Sequence, residues 1–256
     1  MRERLDERFP GSDLDREVWF PHYLPHWSSR AATAARYELR DSCLRLALPD
    51  DVPLWCPDDH PPLRVSGIQS GVFSGPAGST VGQQPVRPGA VVREEQPAHR
   101  GWMPHHGLLE MRARATVTPR SMVAWWLVGL EDVPERSGEL CVVEVFGNAV
   151  DPVGGAAVGM GTHPFRDPRL AEDFAAPRPG IDVADWHTYA VDWRPDGAVF
   201  LVDGEPVRTV AVTPDYPMQS MLAVFDFPEK AVPGEPYVVP ELVVDHVRGP
   251  ASSEDG

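Results

Sequence analysis

The chain has 256 residues, with 38 acidic and 23 basic side chains, and its formal net charge is −15 at pH 7. Lys230 is the sole lysine and it follows Glu229, which excludes a Walker-type phosphate loop because that motif places its lysine after a glycine. The negative charge argues against nucleic acid as a partner, since binding there gains affinity by neutralising phosphates. The 42% apolar content is typical of a globular protein.

Neither a membrane helix nor a secretory signal is predicted. A membrane helix needs about 20 consecutive apolar residues, and residues 1–8 are charged with no apolar segment after them. We therefore expect a cytoplasmic monomer that does not contact membranes. The cysteines Cys43, Cys56 and Cys141 show no C-x-x-C spacing, so free thiols are expected.

The predicted elements are short strands separated by turns. The 29 prolines and 22 glycines are spread along the chain and leave little room for helices, although the alanines of Arg30–Arg40 favour a short one. The clearest strand alternates apolar and polar residues over Leu109–Val117. In chain order, the predicted strands are Tyr37–Leu39, Leu44–Leu48, Val91–Arg93, Leu109–Val117, Met122–Val128, Leu140–Phe146, His187–Trp193, Val199–Val202, Val207–Val212, Met221–Phe227 and Glu241–Val247.

The number and spacing of these strands indicate the fold class. Asp203-Gly204 between two strands is a strong hairpin signal. About ten strands with regular turn signals predict an all-β sandwich, which at this length can be one domain. We place that domain at residues 1–250 and a mobile C-terminal tail at 251–256.

Glu139 and Glu144 are the two carboxylates of an otherwise apolar segment. Glu139 directly precedes the predicted strand Leu140–Phe146, and Glu144 lies within it. An ionised group there is costly unless a cleft solvates it or a partner neutralises it. Two acidic groups flanking a sugar bond are the minimum machinery of glycoside hydrolysis. Glu139 and Glu144 are five positions apart, however, and in a regular strand they face opposite sides. They share a face only if a β-bulge adds a residue between them.

A structural interpretation of the same residues stays open. Glu139 would then end a turn, and Glu144 would pair with Arg112 or Arg114 of the alternating strand. On this segment alone, the structural interpretation is slightly favoured over the catalytic one.

The same segment resembles the active-site strand of glycoside hydrolase family 16, whose pattern is Glu-x-Asp-x-x-Glu on a bulged strand. Further resemblances follow one another along most of the chain. They are Phe9–Trp19 to the opening strand, Gly107–Arg114 to Gly-x-x-Glu-x-Arg-x-Lys, Val123–Leu127 to Pro-Ala-Phe-Trp-Leu, Asp185–Gly204 to the run from Phe-His-x-Tyr to Val-Asp-Gly, and Val244–Arg248 to Val-Asp-Tyr-Val-Arg.

The resemblance implies a jelly-roll β-sandwich of the concanavalin A-like lectin/glucanase superfamily, with a concave cleft. It also implies a retaining hydrolase or transglycosylase of β-linked oligo- or polysaccharides. Glu139 would be the nucleophile and Glu144 the general acid/base, with their carboxyl groups about 5–5.5 Å apart.

One departure from the family pattern bears on activity, because Cys141 stands where the family has its central aspartate. A thiol with an ordinary pKa near 8.5 is mostly neutral at pH 7. Without that second negative charge, Glu139 is expected to ionise more readily. A non-catalytic carbohydrate-binding protein on the same fold is therefore the alternative, and a scaffold protein that lost the cleft is another.

Four residues are expected to bind the sugar, because aromatic rings stack on pyranose faces and polar groups fix their orientation. Trp126 matches the family's tryptophan, and Trp125 stands beside it. His163 resembles a histidine of the strand next to the catalytic one. Gln69 lies in the place of the family's Ser-Gly strand and is expected to point into the cleft.

The histidines predict no catalytic metal site. His22 and His26 have helical spacing, but prolines beside both oppose a helix. His105 and His106 are adjacent, and a pair alone supplies too few ligands. We expect no cofactor. A structural calcium ion would be unsurprising for a fold of this kind, but the sequence identifies no ligands for it.

Overall fold

A computed structural model describes residues 4–253 and is built almost entirely of antiparallel strands. Between them lie α1 (Arg30–Thr33) and the 3₁₀ helices Pro25–Trp27, Gly147–Ala149 and Pro228–Lys230. The strands are β1 (Arg4–Glu7), β2 (Tyr37–Arg40), β3 (Cys43–Ala47), β4 (Arg64–Gln69), β5 (Gly71–Val72), β6 (His99–Arg100), β7 (Gly107–Thr116), β8 (Ser121–Gly129), β9 (Glu139–Phe146), β10 (Val150–Asp151), β11 (Gly155–Ala156), β12 (Gly159–His163), β13 (Asp173–Ala175), β14 (His187–Arg194), β15 (Gly197–Val202), β16 (Glu205–Val210), β17 (Met218–Asp226) and β18 (Glu241–Pro250).

Two large sheets form the body of the molecule. One has the order β16-β15-β14-β7-β18-β3-β2, with β1 also paired to β18, and the other has the order β13-β12-β9-β8-β17-β4. Large buried side chains such as Trp125, Trp193 and Phe200 fill the core between them. The predicted all-β jelly-roll sandwich is therefore confirmed.

Alternation along β8 divides its side chains between two apolar clusters. Val123, Trp125 and Leu127 point into the core between the sheets, whereas Trp126 and Val128 point the other way, because successive strand residues face opposite sides. The outer face of the six-stranded sheet, marked by Trp126 and Val128, is called the cleft face below. Apolar side chains from residues 23–27 and 55–65 pack against it.

The predicted hairpin is confirmed between β15 and β16. Asp203 and Gly204 have φ values of +52° and +82°, and a two-residue turn with both φ positive matches the twist of the strands it joins. The Asp203 carboxylate also accepts a hydrogen bond from the backbone N–H of Thr188, at 2.8 Å. The turn is thereby tied to β14.

One local prediction is wrong and another is confirmed only in part. The segment Val91–Arg93 forms no strand, because its backbone N–H groups bond to loop carbonyls, that of Val92 to Ser79 and that of Arg93 to His26. The short helix predicted from the alanines stops at Thr33. The following residues extend into β2 instead.

The beginning of the expected C-terminal tail is ordered against the body. Ser252 forms a bridge with Pro104, and its hydroxyl accepts the N–H of Met103 at 3.0 Å. Residues 254–256 of that tail lie outside the described part of the chain. Among residues 4–253, no helix is long and apolar enough to cross a membrane.

Candidate active site

A β-bulge in β9 lies between its two carboxylates. Trp126 of β8 lies opposite Cys141, whereas the preceding Trp125 lies opposite Val143, so Val142 is an extra residue. Val142 and Val143 consequently both point into the core between the sheets. The bulge that the catalytic interpretation requires is confirmed.

The bulge places both carboxylates on the cleft face. Glu139 and Cys141 are two positions apart and share a face as in any strand, and the extra residue turns Glu144 to that same face. On the neighbouring strand β12, Gly159 lies opposite Glu144. A Cβ on that glycine would lie 2.5 Å from the ring of Phe174. Glycine therefore lets this ring pack close to Glu144.

Glu139 and Glu144 are both harder to ionise than ordinary glutamates. Burial, and then the charge of Glu144, raise the pKa of Glu139 to about 8, although a hydrogen bond from Gln84 opposes the rise. Burial also raises the pKa of Glu144, while the nearby His163 lowers it. Burial is thus the largest influence on the pKa of Glu139, and the easier ionisation expected from the missing aspartate stays a prediction.

Cys141 contributes a neutral thiol between the two carboxyl groups. It is 2% exposed, and its Sγ lies 3.8 Å from the carbonyl oxygen of Gly159, as a weak donor. Burial, followed by the charges of Glu139 and Glu144, raises the pKa of the Cys141 thiol well above its ordinary value. A nucleophilic thiolate is thereby disfavoured at this position.

The alternative ion pairs predicted for Glu144 are absent. Arg112 and Arg114 belong to β7, in the other sheet. Their guanidinium carbons lie 4.7 and 5.3 Å from the ring centroid of Trp186. The structural interpretation in which one of them neutralises Glu144 is therefore wrong.

A hydrogen-bonded network beside Glu139 was not foreseen from the sequence. The Gln84 side-chain amide donates to Oε2 of Glu139 at 3.2 Å, and the Gln84 backbone N–H donates to Oε1 of Glu131 at 2.7 Å. Glu131 is 3% exposed and also bonds to Arg166. Burial raises the pKa of Glu131 to about 7. The only signal in the sequence for Glu131 is its position at the end of the largely apolar segment 122–130.

A cavity of about 410 Å³ opens next to this network. Four of its lining residues have positive φ without being glycine, and such strained backbone is characteristic of functional sites. They are Leu24 (+41°), Gln84 (+42°), Glu131 (+60°) and Phe165 (+43°). Tyr23, Trp55 and His60 add rings to the wall. The cavity is thus lined by aromatic rings together with the polar side chains of Gln84, Glu131 and Arg166.

Trp125 and Gln69 do not line the cleft. Trp125 is fully buried in the core, where its indole N–H donates to the Ser220 hydroxyl at 2.9 Å. Gln69 is fully buried under the loop that contains Leu24, whose N–H it accepts at 3.1 Å, and its amide donates to the Gly71 carbonyl at 2.7 Å. Both substrate-binding predictions are wrong, because these polar groups are already satisfied inside the fold.

The structure brings Trp126 and His163 to the cleft face. Trp126 is 5% exposed beneath the rings of Tyr23 and Phe225. His163 lies opposite Glu139 in the sheet register. Its Nδ1 is 2.8 Å from Oε1 of Glu172. His163 thus lies beside Glu139, whereas Trp126, which lies opposite Cys141, is covered by aromatic rings.

The sequence matches the family model described as Glycosyl hydrolases family 16 over residues 102–228, about half of the chain. The matched part includes β7, β8, β9 and β12, and so both carboxylates and the bulge. A comparison with curated protein sequences finds no match.

Solved structures of glycan hydrolases share the fold. The GlcNAcα1-4Gal releasing endo-β-galactosidase from Clostridium perfringens aligns with a TM-score of 0.78 and 24% identity, over 97% of this chain and 63% of that one. This chain therefore spans less than two thirds of that enzyme. A laminarinase from Flavobacterium sp. UMI-01 aligns with a TM-score of 0.65 and 17% identity, over 96% of this chain and 98% of that one.

A lichenase derived from a mouse hindgut metagenome aligns with a TM-score of 0.62 and 16% identity, over 97% of this chain and 99% of that one. These likenesses confirm the jelly-roll fold. The family match covers the strand on which the two carboxylates lie. The chain belongs to glycosyl hydrolases family 16, a family of glycan hydrolases.

Proposed function

We propose that this chain is a retaining hydrolase or transglycosylase of β-linked glycans. The observation that carries the proposal is the bulge in β9, which presents Glu139 and Glu144 on one face. Two carboxylates on the same face of a cleft are what the double-displacement mechanism requires. The separation expected for that mechanism is about 5–5.5 Å.

The proposed mechanism has two steps. In the first, Glu139 attacks the anomeric carbon and forms a glycosyl ester, while Glu144 gives its proton to the departing glycosidic oxygen. In the second, Glu144 takes a proton from water or from a sugar hydroxyl, and that oxygen displaces Glu139. Hydrolysis and transglycosylation differ only in the acceptor.

The electrostatics of the pair supply the proton that the first step needs, and the proposed mechanism uses the state in which Glu144 carries it. The first step needs one proton on the two carboxyl groups, and burial together with mutual repulsion lets the pair keep one proton at neutral pH. The Gln84 amide donates to Glu139 and thereby favours the ionised form there. Gln84 thus supplies a polar partner for the nucleophile, whereas the weak hydrogen bond of the Cys141 thiol goes to the Gly159 carbonyl.

The cavity favours a neutral sugar. Arg166 in its wall is already paired with Glu131, and rings form much of the remaining wall. Phe165 is 57% exposed and would stack on a pyranose face. The similar proteins include an endo-β-galactosidase, a laminarinase and a lichenase, so glucans and β-galactosides are the first substrates to test.

The experiment is a screen of the purified chain on a β-1,3-glucan, a mixed-linkage β-1,3-1,4-glucan and glycans with internal β-galactosides, with product analysis. Glu139→Gln and Glu144→Gln are the matched variants, since they remove the acid while keeping its shape. We expect cleavage by the wild type and a rate at least about 100-fold lower in each variant, the usual contribution of a positioned acid or base. Wild-type rates in either variant would refute the assignment.

A second candidate is a carbohydrate-binding protein without turnover, which the neutral Cys141 in place of the family's aspartate favours. Calorimetry with the same glycans separates the two functions. A binder would bind an oligosaccharide with similar affinity as wild type and as Glu139→Gln, and would leave the glycan intact in both cases.

A further inference from the structure

His105, His106 and Asp215 bring three potential ligand atoms together, away from the cleft carboxylates. His105 and His106 precede β7, and Asp215 lies in the segment before β17. Within residues 4–253, this is the one group of three histidine, cysteine or acidic residues with ligand atoms all within 4.8 Å of one another. Three such ligand atoms so close together are enough protein ligands for a metal ion.

The distances in the group suit a metal ion. Nε2 of His105 lies 3.0 Å from Oδ1 of Asp215, and Nε2 of His106 lies 3.6 Å from the same oxygen. Two ligands each about 2.1 Å from a tetrahedral zinc ion are about 3.4 Å apart. The two observed distances lie on either side of that value, so small side-chain movements would bring both nitrogens and the oxygen around one ion.

Hydrogen bonding within the group leaves one nitrogen unsatisfied. The contact between His105 and Asp215 is a normal hydrogen bond at 3.0 Å, whereas Nε2 of His106 is buried and has no hydrogen-bond partner. At 3.6 Å the oxygen of Asp215 is too far to serve. A buried polar atom without a partner is costly, and a metal ion would satisfy it.

The two imidazole rings are held in place before any metal binds. Both pack against Trp193, with ring centroids 5.8 Å away for His105 and 5.0 Å for His106. His106 has a φ of +61°, a left-handed conformation in which few side chains are found. This strained backbone places both rings on the same side of the chain, facing Asp215.

We infer that His105, His106 and Asp215 form a site for a divalent transition metal such as Zn²⁺. Two imidazoles and one carboxylate are a known ligand set for this ion, with water in the fourth position. The site is separate from Glu139 and Glu144, and the inference does not rest on the proposed glycosidase activity.

Metal binding here would tie residues 105–106 to the segment that supports the start of the cleft strand. Asp215 is followed by Tyr216, whose hydroxyl accepts the N–H of Gly138 at 2.7 Å and donates to Asp167 at 3.0 Å. Gly138 directly precedes Glu139. A metal ion that ties residues 105–106 to Asp215 would therefore stabilise the fold at the start of β9, since a ligand that binds only the folded state raises its stability.

The test is calorimetric titration of untagged, EDTA-treated protein with ZnCl₂, together with Tm measurements with and without the metal. The variants are His106→Ala and the conservative Asp215→Asn, whose parent side chain is 63% exposed. The control is His187→Ala, which removes a histidine that already pairs with Asp203. Circular dichroism shows whether each variant folds.

We expect one Zn²⁺ per chain and a higher Tm with the metal. Binding should be at least about tenfold weaker in both ligand variants, since the loss of a mere hydrogen-bond partner of a ligand already costs roughly 10–100-fold, and unchanged in the control. Equal binding by all variants, no binding by the wild type, or one ion per two chains with a dimer in gel filtration would overturn the inference. If His106→Ala fails to fold, Asp215→Asn alone decides.

Discussion

Glu144 shares the cleft face with Glu139 because Val142 is an additional residue in β9 with no counterpart in β8. A shift of one residue in a strand moves every later side chain to the opposite face. Without the bulge, Glu144 would point into the apolar core, where an unpaired carboxylate is costly. Since five positions separate the two carboxylates, they share a face only because the bulge absorbs one residue between them.

Deletion of Val142 is expected to keep both carboxylates on the cleft face but to lower kcat by about 100-fold. The shortened strand would pair regularly with β8, and Glu139 and Glu144, then four positions apart, would still share a face. The local bend and twist that a bulge gives a strand would be lost, and with them the aim of Glu144 at the glycosidic oxygen. Val142→Ala keeps the inserted residue and is the control, with a stability loss of about 1–3 kcal/mol from the smaller side chain. Kinetics and urea unfolding of both variants measure the effect. A deletion variant with the kcat of the wild type would show that the bend of the bulge does not matter for catalysis.

Replacement of Gln84 is expected to reduce kcat more than it changes KM. A hydrogen bond to a charged group is worth about 1.5–3 kcal/mol, so Gln84→Ala should lower kcat by roughly 10–100-fold. The hydrogen bond from Gln84 lowers the pKa of Glu139. Its loss should therefore move the acidic limb of the kcat/KM profile to higher pH. An unmoved limb would show that Gln84 has only a structural role.

The stability of the protein should fall as the pH rises above 5. Glu139 has a pKa of about 8 in the folded state against about 4.3 in an unfolded chain. Between these values the folded state binds more protons, so its stability decreases with rising pH. Glu139→Gln removes this effect and should be the more stable protein at pH 8, by an amount on the order of 1–3 kcal/mol. Urea unfolding of the wild type and of Glu139→Gln at pH 5 and pH 8 measures the effect. An equal loss of stability between the two pH values in both proteins would contradict the prediction.

Restoration of the family's central carboxylate tests the role of Cys141. In Cys141→Asp, a third acidic group should raise the pKa of the pair and move the kcat/KM profile to higher pH. Cys141→Ser, which stays neutral, should keep the profile of the wild type. Cleavage seen only after the change to aspartate would mean that the natural chain is a binder.

Much of the fold can be predicted from local sequence patterns. Strict alternation predicts β7, and Asp203-Gly204 predicts the hairpin of β15 and β16, because each signal depends on neighbours in the sequence. From the sequence, the bulge could be predicted only as the condition under which Glu139 and Glu144 share a face.

The remaining features of the site depend on contacts between distant segments. Gln84, Glu131 and Arg166 come from three loops without periodicity, and only the folded chain brings them together. Alternation shows that Trp125 and Trp126 face opposite sides, but the packing of the second sheet decides which side is the core. For the same reason, the burial of Gln69 under a loop near Leu24 has no signature in the sequence.

The most direct test of the central claim is the configuration of the first product released by the wild-type chain. With a glycan that the screen shows to be cleaved, proton NMR during the first minutes of the reaction distinguishes the two anomers before they interconvert. Glu139 as nucleophile and Glu144 as acid/base predict that the β-anomer appears first, because two displacements restore the original configuration. Initial release of the α-anomer would contradict the double displacement and the roles of both residues.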